Sequence, residues 1–356
     1  MKAKKLELVN FRNYENEIID FDDDVNVICG DNGMGKTNIV EAVYYFSHGR
    51  SFRSNGREII REGSENAHIK LFYDNGIRDM KSEIRFSGGK KKEILLNDIE
   101  LKKNSQLLGN FICVLFTPDE LNLVKGMPEA RRRFLDSAIM PLRPGYVRDM
   151  IVYKTVVAQK TAVLKTGRFE TLPIWNEKLV ECGARIIKMR ESFINKISEK
   201  AFEMQKDISL GRENLEIRYL PSVKSDGDIE EAFRKKLYEA QEREKESGIC
   251  LYGPHRDEIV FEINGKNAKN YASQGQIRTA VLCLKTAQME IIKDEREEYP
   301  VLLLDDILSE LDKKRRDFLV SEIKDKQVII TCTEIDEAFS HKGVNIIKIR
   351  EGKTVK

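Results

Sequence analysis

The stretch GDNGMGKT, residues 30–37, constrains the fold more than any other part of this chain. It follows the apolar run of residues 25–29 and precedes apolar residues at helical spacing that end near Gly49. A loop of this pattern between a strand and a helix binds phosphate, because its glycines let backbone N–H groups converge on one anion at the helix N-terminus. The alternative, a glycine-rich turn that binds nothing, is disfavoured by the flanking strand and helix.

We therefore predict a nucleotide-binding loop in which each position has a role. Lys36 should reach the β- and γ-phosphates of ATP, and Thr37 should hold Mg²⁺. The complete loop comprises Gly30, Asp31, Asn32, Gly33, Met34, Gly35, Lys36 and Thr37.

A pair of acids, Asp305 and Asp306, follows four apolar residues, 301–304. A carboxylate at the end of a buried strand can meet the Mg²⁺ that Thr37 binds, so Asp305 is the predicted second metal ligand. Asp306 is the predicted catalytic carboxylate, which polarises the attacking water. The alternative is two acids that merely end a strand.

The stretch Ser273-Gln274-Gly275-Gln276 precedes an apolar helical pattern. Two interpretations stay open from the residues alone. Ser273 is either an ordinary helix N-cap, or a hydroxyl that faces a γ-phosphate together with the helix N-terminus.

Length and composition bound the architecture. A chain of 356 residues fits one large domain with an insertion, or two lobes. Its net charge of +2 gives no overall basic signal, so a DNA-binding surface must come from local clusters. The six cysteines are scattered singly, and no apolar stretch approaches membrane-spanning length. We expect a cytoplasmic protein that does not enter the membrane.

Periodicity divides the chain into three parts. Residues 1–130 read as the N-terminal part of a nucleotide-binding core, with two strands within 5–29 and an antiparallel sheet within 67–101. Residues 131–247 read as a helical lobe, a short arm of two antiparallel helices of about 40 residues. Residues 248–356 read as the C-terminal part of that core, with a hairpin at Asn264-Gly265 and buried parallel strands at 299–304 and 328–330.

These motifs together resemble the SMC-like branch of the ABC-type ATPases. Residues 30–37 match Walker A, residues 271–276 match the signature, and residues 304–306, followed by 309–312, match Walker B and the segment after it. More narrowly, the chain resembles the RecF family of bacterial recombination mediators. The stretches that carry this resemblance are residues 8–14, 49–53, 123–128, 131–136 and 253–257.

The resemblance implies a fold and a mechanism. The fold is α/β, an ABC-type ATPase head with a P-loop core, an antiparallel β subdomain and an inserted helical lobe. ATP would join two chains head to tail, with Ser273, Gln274, Gly275 and Gln276 of one chain facing the nucleotide of the other. The homodimer would clamp duplex DNA at the edge of single-strand gaps, help RecO and RecR load the recombinase, and open after slow ATP hydrolysis.

Three positions depart from the wider ABC pattern. Asp306 stands where many members carry Glu, so we expect slow turnover. Thr331-Cys332-Thr333 stand where a His is usual. Pro118-Asp119-Glu120 stand where a Mg²⁺-linked Gln is usual.

Contacts with DNA are predicted from local charge alone. Candidate phosphate or DNA contacts are Arg12 and the run Arg131, Arg132 and Arg133, with further clusters at residues 90–92 and 102–103. The alternative for any one cluster is a solvated surface, and three adjacent helical residues face different directions. A structural role is favoured for His255. Two other functions stay open, the ATPase of a transporter and that of a DNA nuclease complex.

Overall fold

The computed structural model describes residues 1–53, 58–89, 91–335, 339 and 343–355. These residues form two compact units, which are described separately. The first unit comprises Met1–Asn122 and Leu284–Lys356, and the second comprises Leu123–Cys283. The second unit therefore includes residues 248–283, which the sequence pattern placed with the C-terminal part of the ATPase head.

An antiparallel sheet forms one layer of the first unit, with strands in the order β2-β1-β4-β5-β6-β7. Alternate residues of β1 and β4 are buried, as expected when one face of a sheet covers a core. Its strands are β1 (Lys2–Phe11), β2 (Tyr14–Asp20), β4 (Asn66–Asp74), β5 (Asp79–Ser87), β6 (Glu93–Leu96) and β7 (Ile99–Glu100).

The second sheet of this unit has the strand order β15-β14-β3-β13-β12-β8 and is parallel from β14 to β8. Its central strands are mainly apolar and almost entirely buried, as expected for strands covered on both faces. Its strands are β3 (Val25–Cys29), β8 (Cys113–Phe116), β12 (Val301–Asp305), β13 (Val328–Cys332), β14 (Asn345–Arg350) and β15 (Lys353–Val355).

Helix α1 (Lys36–His48) begins directly after the glycine-rich loop and contacts both sheets. It ends at Gly49, whose left-handed backbone caps it as predicted. Most of its residues are buried around the whole circumference, which is typical of a helix enclosed by neighbouring elements. The antiparallel sheet and the parallel strands are confirmed, but residues 5–29 contain parts of three strands instead of the predicted two.

The second unit is built on helices. Helix α5 (Leu172–Ser209) packs against α4 (Pro144–Thr166) and α6 (Ile229–Ser247). Pro144 and Pro173 occupy first-turn positions of α4 and α5, where a missing N–H costs nothing. The other α-helices of the described residues are α2 (Asn122–Lys125), α3 (Pro128–Ile139), α7 (Ala268–Tyr271), α8 (Gln274–Arg296) and α9 (Lys313–Glu322).

A small antiparallel sheet completes the second unit, with the order β11-β10-β9. Strand β9 (Leu215–Leu220) pairs along its length with β10 (Glu258–Ile263), which turns at Asn264-Gly265 into β11 (Lys266–Asn267). The prediction of two helices of about 40 residues is wrong, since α5 has 38 residues but α4 has only 23. Strand β9 was also missed, because its six residues lie inside a highly charged, helix-like segment.

Within the described residues, no helix combines the length and the apolar character needed to cross a membrane.

Candidate nucleotide-binding site

The loop of residues 30–37 has the backbone shape that its glycines predict. Gly30 lies against the neighbouring strand, and a side chain there would collide with the carbonyl oxygen of Ile349. Gly35 has a φ of 108°, and an added Cβ would lie 2.6 Å from the Asn13 amide nitrogen. Both positions therefore require glycine. The first turn of α1 has no acidic side chain, so its positive end is open to an anion.

Two side chains from the β1–β2 turn hold the loop from outside. The Asn13 amide donates to the carbonyl oxygen of Met34 at 3.0 Å, and the Tyr14 hydroxyl donates to that of Gly35 at 3.0 Å. Because these carbonyls are bound on the outer side, the loop is fixed in one conformation before any ligand arrives. Both residues lie in the stretch 8–14 that carries the family resemblance, but no role was predicted for either of them.

Lys36 is almost buried and folds back over its own loop. Its Nζ donates to the carbonyl oxygens of Gly30 at 2.6 Å and Asp31 at 2.9 Å. An ammonium group has three donors, so these two bonds leave one for a phosphate oxygen. The loop carbonyls thus hold the charge of Lys36 at the mouth of the anion site.

Thr37 and Asp305 meet although 268 positions separate them in the chain. The Thr37 hydroxyl donates to Asp305 Oδ1 at 3.0 Å. Burial raises the pKa of Asp305, and hydrogen bonds from Thr331 and Thr37 oppose this effect. Two hard oxygen atoms about 3 Å apart match neighbouring ligands of an octahedral Mg²⁺ ion, whose bonds are about 2.1 Å long. The pair therefore fits the predicted metal.

Asp306 has a left-handed backbone, with φ of 53°. Such a conformation is uncommon for a residue with a side chain, and Asp is among the residues that tolerate it best. Its N–H donates to the hydroxyl of Thr331 at 3.0 Å. Strained backbone at a site of this kind is a frequent sign of function.

These residues surround one pocket of about 200 Å³. Arg53 supplies a cation to it and donates to the Asn38 side chain at 2.9 Å. The polar lining suits a charged ligand better than an apolar one. Its lining residues are Asn32, Gly33, Gly35, Lys36, Thr37, Asn38, Arg53, Asp306 and Thr331. No role in the pocket was predicted for Arg53, Asn38 or Thr331, although Arg53 lies in the stretch 49–53 and Thr331 in the stretch 331–333 noted above.

A larger and more open pocket of about 610 Å³ lies elsewhere in the first unit. It is lined by residues 60–66 together with Ser87 and Gly88. Lys36, Thr37 and Asp306 line the smaller pocket, so that one is the candidate functional site.

In the signature stretch, Ser273 forms a reciprocal cap at the start of α8. Its hydroxyl oxygen accepts from the N–H of Gln276 at 3.2 Å, and the Gln276 side chain accepts from the N–H of Ser273 at 2.9 Å. This is a capping box. The cap uses the hydroxyl oxygen as acceptor and does not consume its proton, so a second role toward a phosphate is chemically compatible with it. Gln274, which is exposed, and Gly275, which is half-buried, lie in the first turn of α8.

Arg12, a candidate phosphate or DNA contact, is held by the protein itself. Its guanidinium forms a two-point ion pair with the fully buried Glu41, at 2.6 and 2.9 Å, and donates to the Glu58 carbonyl at 2.8 Å. Buried ion pairs are costly to break. In this conformation Arg12 therefore positions α1, which carries Glu41.

The three adjacent arginines of α3 have three different environments, as helical geometry requires. Arg131 is 4% exposed. Two of its nitrogens donate to the Glu258 carboxylate, and the third donates to three backbone carbonyls. Arg132 is half-buried and donates to the Asp257 carbonyl at 2.9 Å. Arg133 is exposed. The geometry argues against a phosphate contact for Arg131 and leaves Arg133 as the best placed of the three.

The remaining basic clusters are also divided. Lys91, Lys102 and Lys103 are exposed, and Lys90 lies outside the described residues. Lys92 is turned inward, where its Nζ donates to the Tyr45 hydroxyl at 2.9 Å. Burial lowers the pKa of Lys92 to about 8. Lys92 therefore belongs to the packing of α1.

Where ABC-type proteins usually carry a Mg²⁺-linked Gln, this chain forms an ion pair. Glu120, in a 3₁₀ turn after β8, pairs with Lys285 of α8. Burial raises the pKa of Glu120, and Lys285 counteracts this effect. Glu120 thus holds α8 to the turn that follows β8.

The stretch 253–257 lies within a network of buried charges in the second unit. Arg190 donates to Asp136 at 2.7 Å, to Asp257 at 3.1 Å and to the Tyr146 hydroxyl at 2.9 Å. His255 lies between the Tyr153 hydroxyl, at 2.5 Å, and the Cys250 carbonyl, at 3.0 Å. Burial, aided by Arg256, lowers the pKa of His255 to about 4. These contacts agree with the structural role predicted for His255.

Comparisons with known proteins agree with this architecture. The family model described as the RecF/RecN/SMC N-terminal domain matches residues 2–355. The DNA replication and repair protein RecF of Clostridium kluyveri is 40% identical over 342 residues, which cover 95% of this chain and 94% of that protein. The protein of the same name from Clostridium tetani is 38% identical over 365 residues, which cover 100% of this chain and 100% of that protein.

Solved structures extend the likeness to three dimensions. The recombination mediator protein RecF of the RecFOR pathway, solved as RecF-ATPrS, has a TM-score of 0.92 at 33% identity, covering 99% of this chain and 97% of that one. An Smc head bound to the C-terminal winged-helix domain of ScpA has a TM-score of 0.60 at 17% identity, covering 99% and 96% of the two chains. This second likeness shows the ATPase-head fold alone. This chain therefore belongs to the RecF family of DNA replication and repair proteins, within the wider RecF/RecN/SMC N-terminal domain family.

Proposed function

We propose that this chain is a weak ATPase that binds ATP with Mg²⁺ and uses the nucleotide to dimerise around duplex DNA. The observation that carries the proposal is the single pocket formed by the loop of residues 30–37 together with Asp306, beside Asp305. Relatives named RecF, and a solved RecF structure whose name includes an ATP analogue, support the choice of ATP.

Within this pocket each group has a defined task. The backbone N–H groups of the loop and the N-terminus of α1 bind the phosphates. Lys36 neutralises charge at the β- and γ-phosphates, while Thr37 and Asp305 would hold the Mg²⁺ ion. Bound Mg²⁺ would stabilise negative charge on the phosphate oxygens. Asp306 accepts a proton or orients the attacking water from its left-handed turn.

The dimer supplies the missing half of the site. We propose that Ser273, Gln274, Gly275 and Gln276 of a second copy face the γ-phosphate, since the cap at Ser273 leaves its proton for another acceptor. Dimerisation would close a clamp on duplex DNA or on a junction of single and double strands. The clamp would mark gap edges and help RecO and RecR load the recombinase. We propose that it does so in the cytoplasm.

The test is duplex-DNA binding followed by fluorescence anisotropy at moderate salt, with and without ATP and Mg²⁺. We expect tight binding only when both are present, and weaker binding as salt rises, because phosphate contacts release counterions. Asp306→Asn should bind ATP, accumulate as dimer and retain DNA, because hydrolysis no longer opens it. Equal DNA binding with and without nucleotide, or a permanently monomeric Asp306→Asn variant, would overturn the clamp mechanism.

A further inference from the structure

The hydroxyl of Thr331 joins the two acidic residues of the pocket. Thr331 lies in β13 directly opposite Asp305 of β12, and its side chain is fully buried. Its hydroxyl donates to Asp305 Oδ1 at 2.7 Å and accepts from the N–H of Asp306 at 3.0 Å. One side chain therefore contacts the carboxylate of the first acid and the backbone of the second.

The position of Thr331 in its strand makes this arrangement informative. The three preceding residues of β13, Val328, Ile329 and Ile330, are buried and apolar. A valine at position 331 would continue that run with almost the same shape. A buried hydroxyl in its place costs free energy unless its hydrogen bonds are made, and here both are made to the acid pair.

The two bonds have different consequences. The bond to Asp305 fixes the direction of its carboxylate. Without that bond, Thr37 would be the remaining threonine hydroxyl that donates to Asp305. The bond from Asp306 N–H holds the turn in which Asp306 has a φ of 53°. Left-handed backbone of this kind persists only where surrounding contacts enforce it. Thr331 is such a contact.

A bound metal ion would change the hydrogen bonds of Thr37 but not those of Thr331. Both hydroxyls donate to the same oxygen, Asp305 Oδ1. Thr37 is the predicted metal ligand, so its oxygen would turn to the ion. Thr331 would keep its present bonds and hold Asp305 in place during that change.

We propose that Thr331 is the positioning residue that aims both acids of this site, Asp305 toward Mg²⁺ and Asp306 toward the attacking water. This inference rests on the proposed nucleotide site and assigns a task to the position where a His is usual. It concerns a contact behind the metal ligands, a class of contact whose loss typically lowers metal affinity or activity by about 10- to 100-fold.

The test compares Thr331→Val, which keeps the shape and removes both bonds, with Thr331→Ser, which keeps the hydroxyl. Thr333→Val is the matched control, because that threonine is exposed and only two residues away. The measurement is binding of a fluorescent ATP analogue titrated with Mg²⁺, and again in EDTA. Thr331→Val should need about 10- to 100-fold more Mg²⁺ for half-maximal effect. Binding in EDTA should stay unchanged, and Thr331→Ser and Thr333→Val should resemble the wild type.

The outcomes separate the two proposals. If the wild-type chain binds no nucleotide with Mg²⁺, the proposed function itself fails. If the wild type depends on Mg²⁺ and Thr331→Val shows the same dependence, the assignment of Thr331 is overturned. A thermal melt checks folding. Should Thr331→Val be unfolded, Thr331→Ala is titrated in its place, and wild-type Mg²⁺ dependence in that variant overturns the inference equally.

Discussion

Two regions of this protein bury charged side chains, and they satisfy those charges in different ways. In the nucleotide pocket, Lys36 is held by two backbone carbonyls and Asp305 by two hydroxyls. In the second unit, Arg190 is held by two carboxylates, those of Asp136 and Asp257. Neutral partners can be exchanged for phosphate or metal at low cost, whereas opposite charges hold one another.

The comparison teaches how burial can serve either binding or stability. A charge held by neutral dipoles keeps most of its attraction for an incoming ion of opposite sign. A charge paired with a buried partner of opposite sign is already neutralised by it, and removing either partner leaves the other uncompensated. Substitutions in the pocket should therefore affect ligand affinity, and substitutions in the Arg190 network should affect folding.

The largest effect is expected for Arg190→Met. Removing the guanidinium leaves Asp257 buried without its cation, so the free energy of unfolding of the second unit should fall by about 3–5 kcal/mol. Trp175, the single tryptophan of the chain, lies in α5 of that unit, so its fluorescence follows denaturant unfolding. Arg185→Met is the matched control on the same helix. Its ion pair with the half-buried Asp149 is open to solvent on the side of Arg185, which is 54% exposed, and should contribute under about 1 kcal/mol. Equal losses in the two variants would contradict the distinction.

A second effect concerns His255 and acid. Its pKa is ordinarily near 6.5 and is lowered to about 4 in the folded protein. Between these values the unfolded chain binds more protons, so the free energy of unfolding falls as pH falls through this window. At about 1.4 kcal/mol for each pH unit, the loss amounts to roughly 3 kcal/mol. It is complete only below pH 4.

This acid effect is measured by denaturant unfolding of the wild type and of His255→Gln from pH 8 to pH 4. The difference between the two should be constant above pH 7, where the imidazole is neutral in both states. It should then shift in favour of the glutamine variant as pH falls. Parallel curves over the whole range would show that His255 is not held neutral by burial.

Lys36→Ala tests the other side of the comparison. Loss of a charge-assisted contact to phosphate should weaken ATP binding by about 1.5–3 kcal/mol, roughly 10- to 150-fold. The free energy of unfolding should fall less than in Arg190→Met, because the partners left behind are uncharged backbone carbonyls. Binding is measured by titration with a fluorescent ATP analogue. Lys348→Ala, at an exposed position of β14, is the control. A large loss of stability with unchanged affinity would place Lys36 among the structural charges.

The smallest main effect of the four predictions is expected at Ser273, where substitutions can separate two roles of one hydroxyl. Ser273→Ala should lose about 1 kcal/mol through the missing cap, whereas Ser273→Asn should retain it. If the serine also faces the nucleotide of a second copy, both variants should fail to dimerise with ATP, as measured by light scattering. A Ser273→Asn variant that dimerises normally would reduce Ser273 to a helix cap.

The sequence was most informative where function lies in a contiguous segment. The glycines of residues 30–37 specify the backbone shape of a loop between a strand and a helix. The apolar run before Asp305 is typical of a strand covered on both faces. It was least informative in the second unit. There β9 lies within a segment rich in charged residues, and only its partner β10, about 40 residues later, makes it a strand.

The chain by itself determined the phosphate loop, the acid pair and membership of the ATPase-head fold, because glycines, an apolar run and a terminal acid act locally. Tertiary structure decided which residues complete the pocket. Arg53 and Thr331 reach it from two separate segments, and Asn13 holds its loop from outside, so their roles depend on strand register and loop path. It also decided that Arg131 is buried while Arg133 is exposed. The identity of a residue states which bonds it can make, and only packing states which partners are within reach.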